Sequence, residues 1–231
     1  MTTATNVKIS KRTLELLKNF ASINSNILVK PGKRIKTISN YKNVLAEATI
    51  EEEFELGFGI WDLNKLLGTV SLFEDPSFEF HEKYMVIYGE NGAKVTYYYS
   101  EPKLLTTITK DLVMPDVAVS CEIGEEDFKE IQRAASVLQL PDLKISSNGE
   151  DILLTVHDRK DPSSNNYSFV VGENSDDADF NFYFKVENMK MLPGEYSVDI
   201  CKNSVAQFSN KNLDLMYWVA MEPDSNYNGG S

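Results

Sequence analysis

Hydrophobic and polar positions follow two different periods along this chain, one typical of helices and one typical of strands. In segment 10–20, apolar side chains recur every three residues at Leu14, Leu17 and Phe20, which is the spacing of one helix face. Ser10 precedes this run, and its hydroxyl can accept a hydrogen bond from an amide of the first turn. The pattern predicts an amphipathic helix with a mostly basic outer face.

Two further segments have the helical period. Segment 124–138 predicts the longest helix, with an apolar stripe and a polar stripe on opposite sides. The apolar stripe consists of Phe128, Ile131, Ala135 and Leu138. Segment 62–67 predicts a shorter helix, with Asp62 as its cap and Gly68 as its end. A short helical piece is also expected near 187–191.

Strand-like segments fill the remainder of both halves. Segment 26–50 predicts short strands separated by turns at Pro31-Gly32 and Ser39-Asn40. Further predicted strands are 84–88, 94–99, 151–157, 167–171, 181–186, 196–201 and 215–222. An extended connector is expected over 101–119, where two prolines occur.

The order of these elements predicts an internal repeat. Each half, of about 110 residues, runs helix, strands, short helix and strands. The predicted fold class is α+β, with two similar domains at 8–110 and 111–225. Residues 1–7 are expected to be a flexible extension and 226–231 a flexible tail, because their composition is typical of turns and disorder.

Charge is distributed unevenly along the chain. The 23 basic and 35 acidic residues give a net charge of −12. Up to Ala46, however, nine basic residues face the single acid Glu15, a balance of +8, and the remainder sums to −20. This asymmetry indicates either a basic surface that faces a polyanion or simply a solvated charged face.

Signatures of enzymes and metal sites are missing from the sequence. Neither His81 nor His157 lies in a metal or nucleophile motif, and there is no phosphate-binding glycine loop. The acidic group Asp176, Asp177 and Asp179 lacks the ligand spacing of a calcium loop, which favours a solvated loop. We therefore predict no catalytic residue, no metal and no cofactor.

Size and cysteine content point to an intracellular protein without a membrane span. The chain of 231 residues, 42% hydrophobic, can bury a core, and no run approaches the roughly 18 to 20 apolar residues that span a bilayer. The N-terminus lacks the apolar core of a secretory signal. Cys121 and Cys201 lie far apart without paired spacing, so we expect buried thiols in a reducing compartment.

Several segments together resemble the sliding clamps of T-even-type tailed phages, which are processivity factors of DNA polymerase. In chain order they are KISKRTLELLKNFASIN, WDLNKLLGTVSL, the connector EPKLLTTITKDLVMPDVAVSCEIGEEDF and VENMKMLPGEYSV. The resemblance runs from about Lys8 to about Asp224 and depends on the collinear set, since no single segment is a catalytic motif. It implies a homotrimeric ring, with sheets outside and helices around a central hole for duplex DNA.

The family pattern places four segments at the hole: 11–20, 62–67, 124–138 and 187–191. The residues expected to contact phosphates are Lys11, Arg12, Lys18, Lys65, Lys129, Arg133 and Lys190. Any one of them could equally be a solvated side chain without a measurable role. Weak contacts without base specificity would let an acidic ring slide on DNA.

The resemblance also implies protein partners: a clamp loader ATPase, the C-terminal peptide of the replicative polymerase, and proteins of late transcription. The candidate groove residues are Leu104, Leu105, Leu112, Val113 and Met114, for which simple packing is the alternative role. The expected location is the cytoplasm of the infected bacterial host.

Two other functions compete with this interpretation. A structural virion or scaffold protein with duplicated sheets would need no basic helix faces. A module for single-stranded DNA would need exposed aromatics interleaved with basic residues. The run Tyr97-Tyr98-Tyr99 could stack bases, but alternation along a strand turns at least one of these rings into the core.

Overall fold

The computed structural model describes residues 5–108, 112–174, 178–202 and 204–229. The chain divides into two compact units, which we call unit 1 (Met1–Asp111) and unit 2 (Leu112–Ser231). Asp176 and Asp177, two members of the acidic group in the predicted solvated loop, lie outside the described residues.

Unit 1 combines two helices with short antiparallel strands. Its elements are β1 (Thr5–Lys8), α1 (Lys11–Ile23), β2 (Ile27–Val29), β3 (Gly32–Ile38), β4 (Val44–Phe54), β5 (Phe58–Ile60), α2 (Leu63–Val70), β6 (Ser77–Phe80), β7 (Tyr84–Tyr88), β8 (Lys94–Tyr98) and a 3₁₀ turn at Pro102–Leu104. One sheet has the order β1-β6-β7-β8. In the other layer β5 pairs with β2 and β3 pairs with β4, while β2 lies beside β3.

Unit 2 has one helix and more strands. Its elements are β9 (Val117–Ile123), α3 (Glu125–Leu138), β10 (Asp142–Ser147), β11 (Asp151–His157), β12 (Tyr167–Glu173), β13 (Asp179–Lys185), a 3₁₀ turn at Val186–Asn188, β14 (Tyr196–Cys201), β15 (Val205–Asn210), β16 (Leu215–Ala220) and β17 (Asn226–Asn228). Antiparallel pairing joins β9-β14-β15-β16 and, separately, β12-β11-β10-β13-β17.

The two units share one connection diagram. The order β1-β6-β7-β8 corresponds to β9-β14-β15-β16, and β5-β2-β3-β4 corresponds to β13-β10-β11-β12. Helix α3 takes the place of α1, and the 3₁₀ turn at Val186–Asn188 takes the place of α2. The prediction of an α+β fold with duplicated halves is confirmed, and β17 is an addition at the end of unit 2.

Helix α1 forms where its apolar period and its cap predict it. The Ser10 hydroxyl accepts a hydrogen bond from the Thr13 amide at 3.1 Å, which confirms the cap. The helix extends past Phe20, and its buried face includes Leu16 and Leu17, while Leu14 is only half-buried. This apolar face covers β4 and contacts α2.

The other two helices begin where predicted but differ in detail. Asp62 accepts a hydrogen bond from the Lys65 amide at 2.9 Å, which confirms its cap. Gly68, predicted as the end of α2, lies inside the helix, because burial of Val70 continues the apolar stripe by one more turn. Helix α3 has the predicted bounds and ends at Gln139, which adopts the left-handed conformation with φ 54°.

Strand pairing corrects three predictions about irregular segments. Residues 5–8, at the expected N-terminal extension, form β1 on β6. Residues 226–228 of the expected tail form β17 on β13. The connector is shorter than predicted, since Val117 already starts β9 and Pro102–Leu104 is a 3₁₀ turn. The two short polar strands are held by their partners and have no clear apolar alternation of their own.

Segment 187–191 also differs from its prediction. The structure has only a single 3₁₀ turn, Val186–Asn188, and not a helix. Met189 and Met191 are buried next to this turn. The apolar spacing that looked helical in the sequence therefore reflects the packing of these two side chains, not a helix.

Both cysteines are free and buried, as expected. Burial, together with the nearby charges of Asp199 and Glu122, raises the pKa of the Cys121 thiol to about 12. The thiol is therefore uncharged and unreactive at neutral pH. Within the described residues, we find no helix that is long and apolar enough to cross a membrane.

Candidate nucleic-acid interface

Helix α1 presents two well-exposed lysines. Lys11 and Lys18 are both exposed and are seven residues apart, so they lie on one face, roughly 10 Å apart along the axis. Neither makes an ion pair with any residue in the described part of the chain. Their full charge is therefore available to a ligand on this face.

Arg12, on the same helix, is in a different environment. Its Nη1 lies 2.7 Å from Glu15 Oε2, and its side chain is two-thirds buried. Its Nε is buried and has no hydrogen-bond partner among the described atoms. Arg12 is therefore partly neutralised, and its stem packs against the protein surface.

A buried carboxylate fixes the N-terminal end of α1. Glu52, on β4, accepts hydrogen bonds from the Ser10 amide and the Thr13 hydroxyl. Burial alone would raise the pKa of Glu52, but these hydrogen bonds outweigh it and hold the pKa below its ordinary value. The charged carboxylate also faces the positive end of the helix dipole. Glu52 thus anchors the helix that carries Lys11 and Lys18.

Helix α2 adds a third lysine and an exposed tryptophan. Lys65 is exposed and makes no ion pair with a described residue. Trp61 precedes the cap Asp62, and 57% of its surface is exposed. Helices α1 and α2 pack together. We call their unpaired lysines, together with the exposed ring that precedes α2, the unit 1 helical face: Lys11, Lys18, Trp61 and Lys65.

Helix α3 has a different charge pattern. Lys129 Nζ lies 2.7 Å from Glu125 and 3.0 Å from Glu126. These two hydrogen bonds raise the pKa of Lys129 above its ordinary value. Arg133, one turn further on, is exposed and makes no ion pair within the described residues.

Two more acidic side chains of α3 have defined roles. Asp127 accepts a hydrogen bond from the Gly124 amide and so caps the helix, as its place in the first turn suggests. Glu130 accepts a hydrogen bond from the hydroxyl of Tyr167 on β12, which raises the pKa of Tyr167. Much of the exposed side of α3 is thus occupied by internal polar contacts.

Lys190 lies two residues beyond the 3₁₀ turn Val186–Asn188 and is exposed. The segment is tied to α3, because the Gln132 side-chain amide donates to the Met189 carbonyl at 3.1 Å. Lys190 and Arg133 therefore belong to neighbouring elements of unit 2. Contact of any of the seven basic residues with DNA remains a prediction.

The fold neutralises part of the basic N-terminal segment. Lys8 pairs with Asp75 at 2.5 Å, and Lys36 and Arg34 both reach Glu47, at 2.7 and 3.2 Å. The excess of +8 seen along the chain is therefore not one basic surface. Asp75 is 67 positions from Lys8, so sequence alone could not predict that pair, whereas Glu47 lies opposite Lys36 in the β3–β4 hairpin.

The candidate groove residues differ in accessibility. In unit 1, Leu104 is exposed, but Leu105 is 8% exposed and packs over Gly59. Leu105 therefore packs against the core of unit 1, and its place in a partner groove stays a prediction. The exposed or half-buried members in unit 2 are Leu112, Val113 and Met114.

The tyrosine run has mixed surroundings, as strand alternation predicts. Tyr98 points to solvent, whereas the ring of Tyr99 stacks on Phe58 with centroids 5.3 Å apart. The Tyr97 hydroxyl donates to the Asp62 carbonyl at 3.2 Å. Only one of the three rings is thus fully available to a ligand, which does not favour a base-stacking platform.

No cluster of three His, Cys, Asp or Glu side chains in the described ranges is arranged to hold a metal ion. His157 lies at the end of β11, where burial first and the nearby charge of Lys144 second lower its pKa. Its Nε2 is buried without a hydrogen-bond partner among described atoms. The histidine is therefore neutral at physiological pH.

Two features of this surface were not predicted from the sequence. Glu52 belongs to an acidic run with Glu51 and Glu53, yet strict alternation in β4 turns Glu52 inward while its two neighbours are exposed. The exposure of Trp61 was not predicted either, because an apolar residue just before a helix cap commonly packs against its own helix.

Comparison with known proteins gives one family. Residues 120–223 match a family model described as the C-terminal part of the gp45 sliding clamp. The sliding clamp of Vibrio phage KVP40 is 30% identical over 221 residues, which cover 94% of this chain and 99% of that protein. The sliding clamp of Enterobacteria phage T4 is 29% identical over 228 residues, which cover 96% and 99%.

Solved structures agree at the level of fold. PCNA from A. fulgidus, solved with the C-terminal region of FEN-1 bound, has a TM-score of 0.70 at 11% identity, covering 97% of this chain and all of that one. At this identity the likeness shows the clamp fold alone. The near full-length match to the phage proteins goes further: this chain belongs to the family of phage sliding clamps.

Proposed function

We propose that this protein closes into a homotrimeric ring around duplex DNA and tethers the replicative polymerase of its phage. The observation that carries the proposal is the match to phage sliding clamps over nearly the whole length of both chains. The duplicated connection diagram supports it, because two similar units per subunit allow the ring to be assembled from repeated contacts.

The charge distribution of the protein is compatible with sliding along DNA. A net charge of −12 disfavours tight binding of phosphates by the body of the protein. The unpaired lysines of the unit 1 helical face can make contacts to the phosphate backbone without reading sequence. Topological linkage would then provide retention, while weak contacts leave the ring mobile.

Two sheet edges are candidates for ring closure. Strand β8 is the end of the sheet β1-β6-β7-β8, and β12 is the end of β12-β11-β10-β13-β17. Neither strand has a single buried side chain, although both carry large apolar residues that are mainly exposed, Tyr98 and Val170. Unpaired edges of this kind are templates for another strand.

A head-to-tail contact would use both edges at once. Beside β12, an open groove of about 540 Å³ is lined by apolar and charged side chains of α3 and by Tyr167. Val137 within it is 72% exposed, and an exposed apolar residue in a groove favours a protein contact. We propose that β8 of one subunit adds to β12 of the next and packs against Val137, in the apolar part of this groove.

Partner proteins would dock on the exposed apolar residues around the connector. The A. fulgidus PCNA structure, with a C-terminal region of FEN-1 bound, supports peptide docking as the mode for this fold. For this chain we propose the C-terminal peptide of the polymerase as ligand, with Leu104, Leu112, Val113 and Met114 as candidate contacts. A clamp loader ATPase and late-transcription proteins are further proposed partners, in the cytoplasm of the infected bacterium.

Comparing retention on circular and on linear DNA tests whether the protein is topologically linked to the duplex. The protein is loaded onto nicked circular DNA by the loader ATPase of its phage, and the bound fraction is measured after gel filtration. We expect retention on circles and rapid loss after a restriction enzyme opens them. A protein that stays bound equally to circular and linear DNA would contradict topological linkage, and a protein never retained on circles would overturn the proposed function.

A further inference from the structure

The helices of the two units differ sharply in charge. Helices α1 and α2 together carry four basic residues and one acid, whereas α3 carries two basic residues and four acids. Duplicated units with equal charges would present equal faces to a ligand. The charge difference shows that these two faces are not equivalent.

Ion pairs increase this difference. On the unit 1 helical face, Lys11, Lys18 and Lys65 have no ionic partner in the described part of the chain. On α3, Lys129 is held by two carboxylates, Glu125 and Glu126. A phosphate that approaches Lys129 must compete with both carboxylates and is repelled by them, which cancels most of the attraction.

The number of helical elements differs as well. Unit 1 has a second helix, α2, which exposes Lys65, but its counterpart in unit 2 is only the 3₁₀ turn Val186–Asn188. The charges around that turn include one acid and one base, Glu187 and Lys190. Within its described residues, unit 2 therefore lacks a second basic helix face.

We propose that the unit 1 helical face makes the DNA contacts and that α3 of unit 2, where Lys129 is paired and acids outnumber bases, contributes little. The proposal rests on the DNA-encircling function stated above and specifies which elements of each subunit hold the duplex. In a trimer, three basic faces would then alternate with three neutral or acidic ones. Such alternation keeps the duplex loosely held, because no phosphate meets a continuous basic wall.

Two matched sets of substitutions distinguish the contribution of each unit to DNA binding. One variant is Lys11→Ala, Lys18→Ala and Lys65→Ala, and the other is Lys129→Ala, Arg133→Ala and Lys190→Ala. Both variants remove three positive charges, so a general effect of net charge is the same. Binding to a short labelled duplex is measured directly by fluorescence anisotropy at several salt concentrations, without the loader.

We expect the first variant to lower the slope of log affinity against log salt by about 0.9 for each phosphate that it no longer neutralises. The second variant should keep a slope close to that of the native protein. An equal effect of both variants, a larger effect of the second, or no measurable binding by the native protein at low salt would each overturn the proposal. Retention on circular DNA, measured separately, reports on the proposed function itself.

Release of Lys129 gives a gain-of-binding test. The substitutions Glu125→Gln and Glu126→Gln remove both carboxylates that pair with this lysine. The control pair, Glu51→Gln and Glu53→Gln, removes two exposed carboxylates of β4 on the face opposite Glu52. We expect only the first pair to steepen the salt slope, by up to about 0.9. An equal effect of the two pairs would show that net charge alone acts and would overturn the proposal.

Trp61 provides a local signal for the same face. The chain has two tryptophans, and Trp218 is 6% exposed with its indole N–H bonded to Gln207. A change of tryptophan fluorescence on addition of duplex DNA should therefore come from Trp61 and vanish in Trp61→Phe. A full signal that persists in Trp61→Phe would place the DNA elsewhere and contradict the assignment.

Discussion

At the scale of single residues, Glu52 is the side chain on which the position of α1 depends most. It accepts hydrogen bonds from both Ser10 and Thr13 and is 9% exposed. We expect Glu52→Gln to lower the free energy of unfolding by about 1 to 2 kcal/mol, since hydrogen bonds to a charged acceptor are weakened or removed. Urea denaturation followed by circular dichroism measures this change, with the exposed neighbour Glu53→Gln as a control that should stay within about 0.5 kcal/mol.

The pH dependence of this effect has a defined sign. The pKa of Glu52 in the folded protein lies below its ordinary value of 4.5, so the unfolded chain takes up its proton first as the pH falls. The stabilisation is therefore present in full above that ordinary value and is lost as the pH falls through the folded pKa. The stability difference between the native protein and Glu52→Gln should shrink in acid. A difference that grows on acidification would contradict the role given to the charged carboxylate.

At the scale of elements, replacement of two glycines by alanine is expected to change the free energy of unfolding in opposite directions. Gly68 lies inside α2, and a Cβ there would meet no atom within 4 Å. Gly68→Ala should raise the free energy of unfolding by about 0.4 to 1 kcal/mol, because alanine restricts the unfolded chain and favours the helix.

Gly59, on β5, is the matched counterpart. A Cβ there would lie 2.7 Å from the Ser100 carbonyl oxygen and 2.7 Å from Leu105 Cδ1. The backbone cannot easily yield, since the Ser100 amide donates to the Gly59 carbonyl at 2.8 Å. Gly59→Ala should cost about 1 to 3 kcal/mol. Thermal melts of both variants check the pair, and equal shifts in one direction would contradict the assigned environments.

At the scale of the whole molecule, the proposed contact between β8 and β12 can be tested by mass. Equilibrium sedimentation over a concentration series should show a species near three times 26.1 kDa that weakens on dilution. Val170→Lys places a charge in the proposed interface and should weaken association about tenfold or more, which corresponds to about 1.4 kcal/mol.

Tyr41→Lys is the control for that experiment. Tyr41 is 91% exposed in the turn between β3 and β4 and belongs to neither edge strand, so the same change in charge should leave association unaltered. A strict monomer at every concentration would argue against the ring for the isolated protein. Equal behaviour of Val170→Lys and the native protein would exclude β12 as the contact.

The sequence by itself determined the local elements and the family. Helices α1 and α2 could be predicted because their period and caps involve residues within one or two turns, such as Ser10 with Thr13 and Asp62 with Lys65. The order of elements likewise indicated duplicated halves, and four collinear segments resembled the phage clamps that the comparisons then identified.

Only the tertiary structure decided which charges remain available and which short segments become strands. Lys8 meets Asp75 across 67 positions of sequence, and β17 exists because β13 offers it an edge. Both depend on how distant parts of the chain approach, and no local pattern encodes that. For the same reason only part of the charge of the basic N-terminal segment stays unpaired after folding, and Lys11 and Lys18 are the unpaired lysines of that segment that lie on a helix.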